Sequence, residues 1–129
     1  MRLLLDSHVA IWALSLPHHL SPEVAAILED QKNDIFVSVA GIWEIAIKGS
    51  LKRMSAPEID AARLVELCEI AGFGILSINP MHALAVSSLP HLHADPFDRL
   101  MIAQAKIEPM RLVTHDKTVA AYDESFITW

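Results

Sequence analysis

Short apolar runs alternate along the chain with longer segments whose apolar positions recur at helical spacing. Each run is short and continuously apolar, which is typical of strands that are covered on both faces. Helices between such strands indicate a parallel sheet, so we predict a three-layer α/β/α domain with a central sheet of four to five strands. The predicted strands are RLLL (2–5), DIFVS (34–38), FGILSI (73–78) and RLVT (111–114), with SFITW (125–129) as a possible edge strand.

Capping and helix-breaking residues delimit the predicted helices. Ser21-Pro22 and Asp95-Pro96 each place a capping side chain before a proline at the first helical position. Pro17, Gly49 and Gly72 follow helical segments that they would end. The predicted helices cover residues 8–16, 22–32, 39–48, 58–71, 80–88 and 95–107, with a short one over KTVAAY (117–122).

The composition is apolar for a chain of 129 residues, with 53% hydrophobic residues and a mean hydropathy of +0.35. The longest apolar stretches, such as VSVAGIW (37–43), are far shorter than the roughly 20 residues of a membrane span. We expect no signal peptide, because the first apolar run contains Asp6 and lacks a small-residue cleavage site.

The single cysteine, Cys68, is compatible with a reducing cytoplasm. We predict one domain over 1–129, cytoplasmic, with an apolar surface covered by a partner.

Four acidic residues lie inside apolar runs or at their ends, namely Asp6, Glu44, Asp98 and Asp116. An unpaired buried charge costs several kcal/mol on the order quoted for buried ions, so such carboxylates are usually paired, protonated or bound to a cation. Ligands of parallel sheets bind beyond the carboxyl ends of the strands, where Asp6 and Asp116 are expected. Convergence of all four would form a divalent-metal site. The net charge of −6 is otherwise untypical of a nucleic-acid binder.

Each acid also has a structural alternative. Asp6 could cap the helix that follows it, and Asp116 could cap the short helix after it. Asp98 is the third residue of the helix that Asp95 caps, where an acid can fold back onto the N-cap amide and interact favourably with the helix dipole. Glu44 could pair with Lys48 at i,i+4, but such a pair is worth only about 0.2–0.5 kcal/mol on a helix surface. Because the helix around Glu44 is apolar on every side, we predict that it is buried all round and that Glu44 is functional.

The seven histidines do not have the spacing of a zinc site. His18-His19 and His91-x-His93 occur in polar loops and are interpreted as solvated, whereas His8 and His115 each neighbour a candidate acid. Carboxylates without His or Cys at ligand spacing favour hard ions such as Mg²⁺ or Mn²⁺.

Four blocks of sequence, LLLDSHVAIWAL, VSVAGIWEIAIK, ADPFDRLMIAQA and LVTHD, occur in this order and span most of the chain. Together they resemble the PIN-domain ribonucleases, and most closely the VapC-type toxins of bacterial toxin–antitoxin pairs. The resemblance implies that Asp6, Glu44, Asp98 and Asp116 coordinate Mg²⁺ or Mn²⁺ and cleave RNA by metal-assisted hydrolysis.

The flanking positions follow the family pattern with two changes. Ser7 stands where that pattern usually has Thr and keeps the hydroxyl, and His115 replaces a more usual Arg. Thr114 fits as a polar residue lining the site, and Asp95 is a secondary candidate that ranks below Asp98.

The resemblance further implies an RNA substrate, a homodimer and a cognate antitoxin whose basic segment the acidic site would attract. Candidate contacts to the RNA backbone are Lys48, Lys52, Arg53 and Arg99, of which Lys52 and Arg53 are interpreted as ordinary surface charge. Trp12 and Trp43 could line the antitoxin groove or belong to the core.

Three other functions stay open at this point. One is a housekeeping PIN-type nuclease that processes RNA. A reading frame for an antitoxin immediately upstream would argue against this function. Another is a degenerate PIN domain that only binds a partner. A third is a phosphatase with an aspartyl nucleophile, which would require a second Asp two residues after Asp6, where this chain has His8.

Overall fold

Four parallel strands form the central sheet of a computed structural model that describes residues 1–50 and 59–129. The predicted strands are confirmed, although the last two are shorter than expected. SFITW contributes a single parallel bridge, from Ile127 to Val113. The strands are β1 (Arg2–Leu5), β2 (Asp34–Ser38), β3 (Gly74–Leu76) and β4 (Arg111–Val113), in the order β3-β2-β1-β4.

The helices begin at the predicted caps. Ser21 accepts a hydrogen bond from the Val24 amide, and Gly72 ends its helix in the left-handed region at φ 78°. The second helix ends at Glu29, short of the predicted Lys32, because the Asp30 carboxylate accepts from the Lys32 amide and turns the chain. The helices are α1 (Ser7–Ser15), α2 (Pro22–Glu29), α3 (Val39–Ser50), α4 (Ala61–Ala71), α5 (Pro80–Ala85), α6 (Pro96–Ile107) and α7 (Lys117–Ala120), with 3-10 turns at Pro17–His19 and Val86–Ser88. The predicted start of α4 at residue 58 lies outside the described residues.

Side chains of β1 alternate between two cores. Leu3 and Leu5 pack on one face of the sheet with α1, α2 and α4, and Leu4 packs on the other face with α6 and the segment before it. All three leucines are fully buried. Helix α3 lies between the two layers, since it contacts both α4 and α6. The predicted three-layer α/β/α fold is confirmed.

Helix α3 is buried on one side only, and the prediction that it is buried all round was wrong. Ala40, Gly41, Glu44 and Ile45 are buried, whereas Trp43 is 53% exposed. Its apolar outer side therefore lies at the protein surface. Among residues 1–50 and 59–129, no helix is both long and apolar enough to cross a bilayer.

The strand order brings two carboxyl ends together at the middle of the sheet. From the central β1 the chain continues to β2 and β3 on one side, and it returns to place β4 on the other. Leu5 pairs with Val113, and the Asp6 amide donates to the Val113 carbonyl at 3.0 Å. Such a reversal of strand order opens a crevice beyond the strand ends, where α/β proteins bind their ligands.

Candidate metal centre

A cavity of about 500 Å³ opens at this carboxyl edge of the sheet. All four acids expected to converge line it, together with Asp95. The described lining residues are Asp6, His8, Trp12, Glu44, Lys48, His93, Asp95, Asp98, His115 and Asp116. The four acids, of which the strand pattern placed Asp6 and Asp116 at this edge, therefore line one cavity.

Asp6 is held at the end of β1 by side chains and by the start of α1. Its Oδ2 accepts from Thr114 Oγ1 at 2.8 Å, and its Oδ1 accepts from the His8 amide at 3.3 Å. Asp6 thus caps α1, as its structural alternative proposed, and lines the cavity as well. Only 7% of the residue is exposed, and burial raises the pKa of this carboxyl above its ordinary value.

Glu44 has two partners, and the argument that no partner justifies its burial was wrong. Ser7 Oγ donates to Oε1 at 2.7 Å, and Lys48 Nζ donates to Oε2 at 2.9 Å. The surface value of an i,i+4 pair does not apply, because Glu44 is only 4% exposed. Hydrogen bonds to charged groups contribute about 1.5–3 kcal/mol each. Ser7 also lies 3.4 Å from Asp6 Oδ1, so its hydroxyl sits between the two acids.

Asp98 turns its carboxylate toward a histidine and does not act as a cap. Asp95 caps α6, since its Oδ1 accepts from the Asp98 amide at 3.0 Å. Asp98 Oδ2 lies 2.7 Å from His93 Nε2. Asp95 is therefore the N-cap, as predicted, whereas the Asp98 carboxylate is directed to His93 and not back to the N-cap amide.

Asp116 divides its two carboxylate oxygens between two roles. Oδ1 caps α7 by accepting from the Thr118 amide at 2.8 Å and from the Val119 amide at 3.4 Å. Oδ2 lies 4.0 Å from His93 Nε2. Ligand atoms of His93, Asp98 and Asp116 all lie within 4.8 Å of one another, which is close enough to share one cation.

His93 was missed by the sequence analysis, which interpreted it as a solvated loop residue. Its loop is folded back onto the site because Tyr122 Oη accepts from the Leu92 and His93 amides, at 3.1 and 2.9 Å. Arg99 reinforces this arrangement by donating to the Pro90 carbonyl at 2.9 Å. The short spacing from His93 to Asp98 was the available signal, but the loop geometry depends on Tyr122, far away in the sequence.

The suggested basic contacts to RNA change accordingly. Arg99 is 9% exposed and donates to the Val86 and Pro90 carbonyls and to Tyr122 Oη, so its predicted contact with RNA is wrong. Lys48 lines the cavity, where it is paired with Glu44. Lys52 and Arg53 lie outside the described residues.

The two tryptophans differ in position. Trp12 lines the cavity and also packs against the core, as its second interpretation expected. Trp43 packs edge-on against Phe97 with ring centroids 5.0 Å apart and is not among the described lining residues.

The electrostatics of the site favour a cation. Burial, followed by the charge of Asp6, raises the pKa of Asp98 to about 7. The hydrogen bond to Asp98 raises the pKa of His93. Carboxylates that hinder one another's ionisation in this way are relieved by a divalent ion. The four carboxylates form a donor set that fits Mg²⁺ or Mn²⁺, and His93 is hydrogen-bonded to one of them.

Known proteins resemble this chain over almost its whole length. The sequence profile of the PIN domain family matches residues 3–125. Ribonuclease VapC22 of Mycobacterium tuberculosis is 30% identical over 120 residues, which cover 92% of this chain and 90% of that relative. The chain belongs to the PIN domain family, and its predicted resemblance to VapC-type ribonucleases is confirmed.

Solved structures show the same fold at low sequence identity. VapBC2 from Rickettsia felis, bound to a DNA fragment from its promoter, has a TM-score of 0.66 at 15% identity, covering 100% of this chain and 98% of that one. FitAcB from Neisseria gonorrhoeae has a TM-score of 0.64 at 17% identity, covering 98% and 96%.

Proposed function

We propose that this protein is a divalent-metal-dependent ribonuclease that hydrolyses internal phosphodiester bonds of RNA and acts as the toxin of a toxin–antitoxin pair. One observation carries the proposal, the meeting of Asp6, Glu44, Asp98 and Asp116 in one cavity at the carboxyl edge of the sheet. Membership of the PIN domain family supports it, as does a relative named as a VapC ribonuclease.

The four carboxylates would hold Mg²⁺ or Mn²⁺. When bound, such an ion supplies a nucleophilic water at neutral pH and neutralises charge on the phosphate. Ser7 and Thr114 fix the orientation of Glu44 and Asp6 by donating hydrogen bonds to one oxygen of each. Asp95 shapes the site by capping α6 and thereby setting the position of Asp98.

His93 and Lys48 are the proton-bearing groups that face these acids. His93 Nε2 and Asp98 Oδ2, 2.7 Å apart, share a proton. An oxygen of the scissile phosphate can replace Asp98 as the acceptor of that proton. Lys48 Nζ lines the same cavity and can contact a phosphate of the substrate as well as Glu44.

The proposal includes protein partners. Several structural neighbours are VapBC complexes, which supports the proposal that this chain binds an antitoxin. An antitoxin segment rich in Lys or Arg would fit the acidic cavity of a protein with a net charge of −6. Met81 and Leu84 on α5 are 59% and 69% exposed, which supports a homodimer in which they are covered. We further propose one domain over 1–129 that works in the cytoplasm.

Cleavage of structured RNA tests the metal site. Wild-type protein freed of antitoxin is incubated with Mg²⁺ or Mn²⁺, and then with chelator. Asp6→Asn and Asp98→Asn are compared with Asp34→Asn, a matched change of an exposed acid at the start of β2. Full activity of either cavity variant would contradict the assignment. Absence of cleavage by wild-type protein on every RNA would favour a PIN domain that only binds.

Induced expression separates a toxin from a housekeeping nuclease. We expect wild-type protein to arrest growth, Asp98→Asn to be harmless, and co-expression of the reading frame immediately upstream to restore growth. Growth that continues with active protein would favour the housekeeping nuclease.

A further inference from the structure

One wall of the cavity consists of aromatic rings. Trp12, His8 and His115 line the cavity, and His19 and Trp129 stand behind them; we call these five residues the ring wall. Trp12 stacks on His19 with ring centroids 5.1 Å apart and planes 12° apart. His115 meets Trp129 at 4.7 Å and the edge of Trp12 at 5.7 Å. His8 lies 6.1 Å from Trp12.

Contacts with the core and with neighbouring rings hold Trp12, the central ring of the ring wall. Trp12 is half-buried and packs against the core beneath α1, and its ring contacts the other four members. His8 and His115 are exposed. Rings that are already held in place lose little conformational entropy when a flat ligand stacks on them.

Among the described residues of the cavity, few cations are placed to hold an RNA backbone. Among its described lining residues Lys48 is the single Lys or Arg, and its ammonium group is bonded to Glu44. Five carboxylates surround it. Phosphate contacts supply most of the affinity in ordinary nucleic-acid binding. Here a bound metal ion can hold one phosphate of the RNA. Affinity for the rest of the RNA strand requires contacts other than those between cations and phosphates.

Aromatic rings provide such contacts. Tryptophan and histidine rings stack on unpaired nucleobases, and this attraction does not depend on phosphate neutralisation. A base inside a duplex has both faces covered by its neighbours, so only an unpaired base can use the ring wall. The rings and the four acids share one cavity, which places such a base next to the reacting phosphate.

We propose that the ring wall stacks an unpaired nucleobase beside the scissile phosphate and favours purines over pyrimidines at that position. The inference rests on the proposed ribonuclease function for its class of substrate. Because purines present larger faces than pyrimidines, adenine-rich strands bind more tightly than uridine-rich strands.

Equilibrium binding tests the ring wall without requiring cleavage. Fluorescence anisotropy is measured with a labelled 12-mer of adenosine and with a 12-mer of abasic ribose that keeps the same phosphates. Ca²⁺ is present as an oxygen-binding cation, and a gel verifies that the probe is intact. The variants are Trp12→Leu, His115→Ala and His115→Phe. Trp43→Leu is the control, because Trp43 is an exposed tryptophan outside the described cavity lining.

We expect Trp12→Leu to weaken binding of the adenosine 12-mer about tenfold or more and to leave the abasic 12-mer unchanged. His115→Ala should weaken adenosine binding several-fold, whereas His115→Phe should retain it because a phenyl ring still stacks. Trp43→Leu should match wild type on both probes. Circular dichroism verifies folding, and the exposed His115 keeps the proposal testable if Trp12→Leu does not fold.

Three results would overturn the proposal. These are equal losses on both probes, no loss on either probe, and equal weakening by His115→Phe and His115→Ala. The second result would assign the ring wall to a protein partner or to the core. If the adenosine 12-mer binds in a way that depends on Trp12 but no RNA is cleaved, the ring wall binds bases and the proposed nuclease function is wrong. The failure of one proposal can therefore be distinguished from the failure of the other.

Discussion

Two cavities of almost equal size lie at opposite edges of the same sheet. The one at the carboxyl edge has a volume of about 500 Å³, and the one at the amino edge, beside the starts of β2 and β3, has about 510 Å³. Both are lined by acids, which at the amino edge are Glu29, Asp30 and Asp34. Volume and acidity alone therefore do not distinguish a metal site from an ordinary surface depression.

The difference lies in how each carboxylate is held. At the amino edge the acids are exposed, and Asp30 accepts from an amide only two residues away. At the carboxyl edge Asp6 and Glu44 are buried, and their partners Thr114 and Ser7 come from distant parts of the chain. Burial of several carboxylates together is unfavourable without a cation, so this arrangement supports the proposal that the metal site lies at the carboxyl edge.

Removing a carboxylate from the carboxyl edge should have the largest effect. We expect Asp98→Asn to lower kcat for RNA cleavage about 100-fold or more, because the change removes a negative oxygen from the proposed metal site. Cleavage assays at saturating Mn²⁺ measure it. Recovery of wild-type rates at higher Mn²⁺ would indicate weakened metal affinity, and unchanged kcat at every concentration would contradict the site.

The pH dependence of stability should differ between the two edges. The pKa of Asp98 is about 7 in the folded protein, above its ordinary 3.8, so the folded state binds this proton more tightly. The free energy of unfolding of metal-free protein should therefore fall as pH rises from about 4 to about 7. The raised pKa of His93 acts in the same direction, since its contribution is lost as pH rises through the folded value.

Thermal melts from pH 4 to pH 8 in chelator measure this effect. Asp98→Asn should flatten the profile, and Mn²⁺ should raise the melting temperature more at pH 8 than at pH 5. If the wild-type profile is as flat as that of Asp98→Asn, the pKa of Asp98 is not raised in the folded protein.

Loss of the hydroxyl between Asp6 and Glu44 should have an intermediate effect. Ser7→Ala leaves Glu44 Oε1 without its 2.7 Å donor, which should reduce the free energy of unfolding by about 1–3 kcal/mol. Cleavage should fall about tenfold, because Glu44 is less well oriented. Ser7→Thr, which keeps the hydroxyl, serves as the control in urea denaturation and cleavage assays. If Ser7→Ala is as stable and as active as Ser7→Thr, the hydroxyl at position 7 neither stabilises the fold nor orients Glu44.

A change at the amino edge should have the smallest effect. Asp34 is exposed at the start of β2, so Asp34→Asn should alter the free energy of unfolding by less than about 0.5 kcal/mol. Cleavage of RNA should stay within twofold of wild type. A loss comparable with that of Asp98→Asn would remove the distinction between the two cavities.

Local patterns in the sequence were sufficient to predict the three layers of the fold and the edge of the sheet at which the proposed site lies. Apolar runs such as RLLL and DIFVS predicted β1 and β2, because continuous burial leaves few other structures for short segments. The carboxyl ends of parallel strands share one edge, so the gathering of Asp6 and Asp116 followed from the chain itself. Glu44 and Asp98 were candidates because they lie in or beside apolar runs, and the family blocks joined all four acids into one site.

Contacts between distant residues decided the rest. His93 joins the acids because Tyr122 and Arg99 hold its loop, and the same contacts remove Arg99 from any role in binding RNA. Glu44 is satisfied by Ser7, which is 37 residues away. The ring wall depends on Trp12 and Trp129, which meet from nearly opposite ends of the chain. The sequence alone determined which residue types are present and which strand ends carry them. Only tertiary packing decided which of them touch, since a hydrogen bond or a stacked pair depends on distances that no local pattern encodes.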